Sequence, residues 1–378
     1  SFLNPNCQNQ RSRNLGLAIL NQSMKYLEWL NLLNHAWSFA THTKLKLKQV
    51  EPLPSKEANR FPMTNQLERD YLALTKSAGF TRLENHGLIR LTGEDRLAFF
   101  HNFCTNEIKK LETGEACEAF ILNSKGKILS FVHAINLQDE LLLYGHGQNV
   151  QPSVDHLDKF LIREDVTLED ATGDWTGLFV SGATSDNSLT QLVGELPPKN
   201  RFRQAQIHNL EVILGNLEIA GFGYLILARD SHLSAIENAL KEPGIVECGQ
   251  DALHVTRIEN ETPWHELDIS DNNLPQELQR DSQAINFNKG CYLGQETVAR
   301  IDARGRVNRL LVSIRFPAQS PTENAPAAGD DLTVDGQPAG TISSVAFSLR
   351  DQCHIGLGFV KRAFKDSGTK LDQGIVVK

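Results

Sequence analysis

The residues of this 378-residue chain best suited to chemistry lie in one short run, Lys289-Gly290-Cys291-Tyr292-Leu293-Gly294-Gln295-Glu296. A thiol attacks or ligates as the thiolate, and three features of the run favour that form. Lys289 brings positive charge near the sulfur, Gly290 and Gly294 permit tight backbone geometry, and Gln295 to Arg300 can open a helix whose free amides favour an anion. The competing reading is a buried core thiol beside glycines that merely turn the chain, since free cysteine is among the most buried residue types. The other five cysteines, Cys7, Cys104, Cys117, Cys248 and Cys353, are scattered without a Cys-x-x-Cys pair, which fits a reducing compartment and inert core thiols.

Other chemical devices are weak. Gly221-Phe222-Gly223 and Gly356-Leu357-Gly358 lack the third glycine of a dinucleotide fingerprint and read as strand or turn glycines. No phosphate loop, His-Glu-x-x-His or paired-cysteine signature occurs, so no metal site is expected. In Trp264-His265-Glu266, the lone histidine beside the glutamate reads as a hydrogen-bonded structural pair.

The elements that must position the thiol follow from periodicity. Thr64 can cap a helix with Leu67, Tyr71, Leu72 and Leu74 on its apolar side and Gly79 beyond its end. A strand over residues 87–92 and a helix opened by Gly93-Glu94-Asp95 form a strand–turn–helix unit, followed by an antiparallel meander over 115–145 around Asn123-Ser124-Lys125-Gly126. A helix near 150–162, strands over 211–219 and 224–228, a helix after Asp230 and another over 251–258 make this part mixed α+β. Beyond the Pro/Ala/Gly/Ser-rich stretch 316–329, short strands without helical pattern suggest a small terminal β-barrel. The expected division is an N-terminal extension at 1–62, a body at 63–306 and the barrel at 307–378.

The net charge is −8, and residues 1–62 hold eight Lys or Arg against three Asp or Glu, which leaves −13 for residues 63–378. An acidic body argues against general nucleic-acid binding, which needs clustered cations on phosphate. Polar residues interrupt the stretch from Leu15 to Ala40, so no membrane span is expected. Three readings compete for residues 1–62: an upstream stretch before a true start at Met63, an organelle-targeting segment, or an amphipathic helix on the body, with the first two favoured.

The run around Cys291 resembles the Lys-Gly-Cys-Tyr-x-Gly-Gln-Glu signature of folate-binding iron–sulfur cluster assembly and repair proteins, within the glycine-cleavage T-protein (aminomethyltransferase) superfamily. All seven specified positions match, and Leu274-Pro275-Gln276-Glu277, Thr297-Val298-Ala299-Arg300 and Arg304-Gly305 extend the likeness. Leu91 to Arg96, Asn102 to Asn106 and Thr341 to Ser344 also look like the family pattern, so the resemblance covers most of residues 85–360.

This resemblance implies an aminomethyltransferase-like α+β fold, three subdomains around a central channel that binds tetrahydrofolate, and a C-terminal β-barrel. It places the cysteine motif near that channel. Cys291 would act as thiolate in cluster transfer or repair or in one-carbon chemistry, with Lys289 lowering its pKa. Gly290, Tyr292 and Gly294 would shape the loop, Gln295 and Glu296 would orient it, and Arg300 would meet the folate glutamate tail. Two departures separate the chain from the transferases. Their aspartate pair is replaced by Ser130 and Phe131, and their acid-bearing pterin segment by Ala220-Gly221-Phe222-Gly223-Tyr224.

The expected function is thus a tetrahydrofolate-binding accessory protein for iron–sulfur cluster assembly, with folate and cluster client or assembly proteins as partners and neither membrane nor nucleic acid. The alternatives are a folate-dependent aminomethyltransferase and a non-catalytic scaffold. The expected compartment is the cytoplasm of a bacterium, or an organelle matrix or stroma if residues 1–62 are a targeting segment.

Overall fold

A computed structural model describes residues 65–147, 149–317 and 325–377. The readings of residues 1–62 and of Cys7 therefore lie outside the described residues. Helix α1 (Asn65–Lys76) leads into β1 (Gly79–Leu83) and β2 (His86–Thr92), and α2 (Arg96–His101) precedes β3 (Ala116–Leu122), β4 (Ile128–Asn136) and β5 (Glu140–His146). Then come α3 (Gln151–Asp158), β6 (Thr167–Asp170), β7 (Trp175–Ser181), α4 (Ser185–Val193), β8 (Phe202–Ile207), β9 (Leu210–Asn216) and β10 (Tyr224–Arg229). They are followed by α5 (Leu233–Lys241), β11 (Val246–Glu247), α6 (Gln250–Glu259), the single turn α7 (Asp281–Ala284) and α8 (Gln295–Arg304). Last are β12 (Arg309–Arg315), β13 (Asp331–Val334), β14 (Gln337–Ser348), β15 (Cys353–Lys361) and β16 (Ile375–Val376).

These strands form three sheets, ordered β3-β4-β5-β2-β6, β11-β1-β7-β10-β9-β8 and β13-β14-β15-β12-β16. All pairings are antiparallel except β1 with β11. Alternate side chains point to opposite faces of a strand, and here both faces find apolar partners. Phe131 and Ile135 of β4, Phe179 of β7 and Leu357 and Phe359 of β15 join one core shared by all three sheets. Their neighbours Val132 and Ala134, Leu178 and Val180, and Val360 join three separate outer cores. The sheets therefore stand around a common centre.

Several expected boundaries shift for local reasons. Leu72 of α1 is 46% exposed while Leu67, Tyr71 and Leu74 are buried, because the buried stripe is narrower than the apolar pattern. Gly93, at φ 101°, turns the chain, so α2 starts at Arg96 rather than at the acidic pair. The terminal strands make a curled sheet, a half-barrel: its outer strands β13 and β16 do not pair with each other. The segment before β16 bridges the gap instead, with Asp372 N–H donating to Thr333 O at 2.8 Å and the Asp372 carboxylate accepting from Thr333 Oγ1 at 2.7 Å.

Helix α6 is tied to the third sheet by an ion pair between Arg257 and Asp268, whose side chains are both 0% exposed, with Nη1 to Oδ2 at 2.8 Å. Asp268 Oδ1 accepts from Ser343 Oγ and Ser344 Oγ of β14, each at 2.6 Å, and Oδ2 also accepts from Trp264 N–H at 3.0 Å. The guanidinium further donates to Ser344 Oγ and Thr262 O and lies 4.8 Å from the Trp264 ring. Removing one charge of such a pair leaves the other buried and uncompensated. Asp268→Asn is expected to lower the unfolding free energy by about 3–5 kcal/mol, read from urea midpoints of the full chain.

Candidate functional site

The thiol run packs on the turn that follows α2, more than 180 positions earlier. Asn286 N–H donates to Thr105 O and Leu293 N–H to Asn102 O, each at 2.9 Å, while Thr105 Oγ1 donates to Ala284 O at 2.6 Å. Lys289 is buried, and its ammonium donates to the carbonyls of His101, Cys104 and Asn106 at 2.6, 2.8 and 2.6 Å. It thus caps the carbonyl-rich end of α2, where a cation is favoured. Burial lowers the Lys289 amine from its ordinary value. All three N–H donors are occupied, so none is left for the Cys291 sulfur. Lys289 holds the loop in place rather than serving as a hydrogen-bond partner of the thiol.

Cys291 is exposed, which removes the core-thiol reading, while Cys104, Cys248 and Cys353 are buried and Cys117 half-buried. Burial pushes the Cys104 thiol up to about 11 and Cys248 up to about 12, so both stay protonated near neutral pH. Tyr292 is buried in the shared core, 5.0 Å from the Lys289 ammonium.

The two glycines of the run differ. Gly294 caps α8 at φ 82°, and a Cβ there would lie 2.7 Å from Asn123 O and 3.1 Å from Gly126 Cα. Gly126 itself has φ 76° and abuts Thr297, so the β3–β4 turn and the thiol loop touch backbone to backbone. Gly290 has no such constraint: nothing lies within 4 Å of its would-be Cβ. Gln295 and Glu296 make no side-chain hydrogen bonds among the described residues, so Lys289 and the backbone, not this pair, orient the loop. Gly294→Ala is expected to cost about 1–2 kcal/mol or more in denaturant unfolding, and Gly290→Ala less than about 0.5 kcal/mol.

A second centre lies where the three sheets meet: a cavity of about 320 Å³, lined by residues that include Phe131, His133, Tyr144, His146, Trp264 and Arg280. No residue of the thiol run lines it, and neither does Arg300, which is exposed on α8. Phe131 forms part of the wall, while Ser130 faces the other side of β4. Arg280 forks onto Glu118 of β3, Nε to Oε2 at 2.7 Å and Nη2 to Oε1, and both side chains are largely buried. Glu218, two residues before the acid-free stretch 220–224, also lines the cavity and pairs with Lys199 at 2.6 Å.

Imidazoles dominate this wall. His146 stacks on Trp264 at 4.4 Å, and its Nδ1 meets His265 O at 2.8 Å, fixing this nitrogen as the donor. Nδ1 of His133 and of His265 is buried without a hydrogen-bond partner among the described residues. Burial lowers His133 and His265, and lowers His146 and His254 to about 4, so these rings are neutral at pH 7. A depressed folded pKa means that the unfolded chain binds more protons below its own value near 6.5. Stability is therefore expected to fall between pH 6.5 and 4, with His146 and His254 each contributing about 1.4 kcal/mol per pH unit. Urea midpoints across that range, compared with His146→Gln and His254→Gln, check it.

Sequence reasoning missed most of this wall. His265 read as half of a structural pair with Glu266, yet it lines the cavity together with Trp264. Their signal was a tryptophan and a histidine together in a segment without strand or helix periodicity. The Glu118–Arg280 pair joins positions 162 apart and leaves no local signal.

Three sheets around an aromatic cavity define an α+β protein of the aminomethyltransferase fold. The glycine cleavage system aminomethyltransferase T of Bartonella henselae matches with a TM-score of 0.73 over 82% of this chain and 87% of that one, at 18% identity, a likeness of fold. Residues 35–289 match the GCVT N-terminal domain, and the chain belongs to that family. A putative chloroplastic transferase of Arabidopsis thaliana is 26% identical over 77% of this chain and 67% of its own length. The tRNA-modifying protein YgfZ of Blochmanniella pennsylvanica is 27% identical over 67% and 76%. An aminomethyltransferase of Halalkalibacterium halodurans is 22% identical over 81% and 85%.

Proposed function

We propose that this chain binds tetrahydrofolate in the central cavity and serves as an accessory protein for iron–sulfur cluster assembly or repair, with Cys291 as its reactive thiol. The observation that carries this reading is the separation of two centres: an aromatic cavity with Phe131 in its wall, and an exposed thiol on a clamped loop outside it. The cavity suits a flat heteroaromatic ligand. Its volume falls at the lower end of the roughly 300–1,000 Å³ range of small-molecule sites, its walls are aromatic, and His133 and His265 offer unpartnered ring nitrogens. Bound there, tetrahydrofolate supplies nitrogens that can carry a one-carbon unit.

Cys291 stands in the solvent before a helix N-terminus, accessible to a cluster or to a client protein. Aminomethyl transfer finds less support, because the phenyl ring at position 131 carries no negative charge and cannot accept a proton. The chloroplastic relative and the bacterial YgfZ proteins fit an organelle stroma or a bacterial cytoplasm as the compartment.

Cys291→Ala is expected to keep the wild-type urea midpoint yet leave iron–sulfur enzyme activity at the empty-vector level in a strain lacking its own homologue. Full rescue by this variant removes the thiol role. Calorimetric titration of the wild type is expected to show saturable tetrahydrofolate binding, and a flat titration removes the folate assignment. Turnover of an aminomethylated lipoyl carrier would instead favour the transferase.

A further inference from the structure

The charged residues that line the central cavity are Glu84, Glu118, Glu218, Asp251 and Arg280. Among the described residues, Arg280 is the one cation of the lining, and its fork is closed on Glu118. The Lys199 ammonium that meets Glu218 does so between half-exposed side chains, where solvent screens the pair. Asp251, in the first turn of α6, has no side-chain partner among the described residues, and burial raises its carboxyl above the ordinary value. Among the described residues the wall therefore has no guanidinium or ammonium left for an incoming carboxylate, and Asp251 adds negative charge to it.

A folate molecule has two ends of opposite demand. Its glutamate tail carries carboxylates, which need cations or clustered N–H donors. The 2-amino-4-oxopyrimidine edge of its pterin presents two adjacent N–H donors, which one carboxylate accepts side by side. This cavity offers acceptors and neutral imidazoles and keeps its one cation occupied.

Resting on the folate reading above, we propose that the cavity selects the pterin ring alone: the Asp251 carboxylate accepts from the aminopyrimidine edge, and the acidic lining leaves the glutamate tail unread. The ligand class is then a reduced pterin with or without a tail, and added glutamates disfavour binding.

The test is calorimetric titration of the full chain with 6-methyltetrahydropterin, tetrahydrofolate and tetrahydrofolate triglutamate, at low and high salt. The first two are expected to bind within about threefold of each other, and the triglutamate about fivefold or more weaker at low salt, a gap that closes as salt screens the charges. Asp251→Asn is expected to weaken all three by about tenfold, since its amide offers one acceptor and no charge. Glu218→Gln is expected to narrow the ratio between triglutamate and methyltetrahydropterin. Tighter binding with each added glutamate, or unchanged affinity in Asp251→Asn, overturns the proposal while leaving folate binding intact. Binding of none of the three by the wild type removes the folate reading itself.

Discussion

The fully buried pair of Arg257 and Asp268 is the constraint on which the arrangement of the sheets depends. Its groups come from α6, from the loop that carries Trp264, and from β14. Two ions removed from water are stable only when their remaining hydrogen-bonding groups are satisfied, and here serines and backbone groups supply that shell. Trp264 inherits its place from the pair, through its own N–H and through the guanidinium beside its ring. His254 does as well, since Arg257 Nε donates to its Nδ1 at 3.3 Å. The same charges that dock the third sheet thereby shape the cavity.

The thiol loop depends on a different device. A lysine ammonium buried against three carbonyls is stable because each N–H finds an acceptor and the helix end supplies negative potential. The residue that sequence reading assigned to the electrostatics of Cys291 is the anchor of the loop that presents it. The fold is that of the aminomethyltransferases; Phe131 makes its part of the cavity wall aromatic, imidazoles and Asp251 supply polar groups there, and the exposed Cys291 lies outside it.

The sequence made much of this legible. The meander over 115–145 appears as β3, β4 and β5 because alternation has a fixed period of two, and the helix over 251–258 appears as α6 within one residue at each end. The role of Gly294 was also readable in part, since the glycines of the thiol run read as permitting tight backbone geometry. What stayed hidden arises from pairs far apart in the chain. Nothing near Lys289 shows that its partners are the carbonyls at 101, 104 and 106, and nothing near Arg280 points to Glu118. The family resemblance assigned Arg300 to the folate tail, yet it is exposed on α8 and does not line the cavity.

The packing of the thiol loop also dictates an order of assembly. Lys289 closes contacts with residues up to 188 positions earlier, and such long loops are slow to close because their entropy must be lost before the contact forms. A nascent chain that has emerged only as far as α6 already contains the three strands β3, β4 and β5, but lacks the lysine that donates to the carbonyls of His101, Cys104 and Asn106. The loop of Cys291 can be anchored only once Lys289 has joined the residues from His101 to Asn106 that were made long before it. A chain that stalls before residue 285 holds the whole cavity-facing meander and has no thiol loop at all.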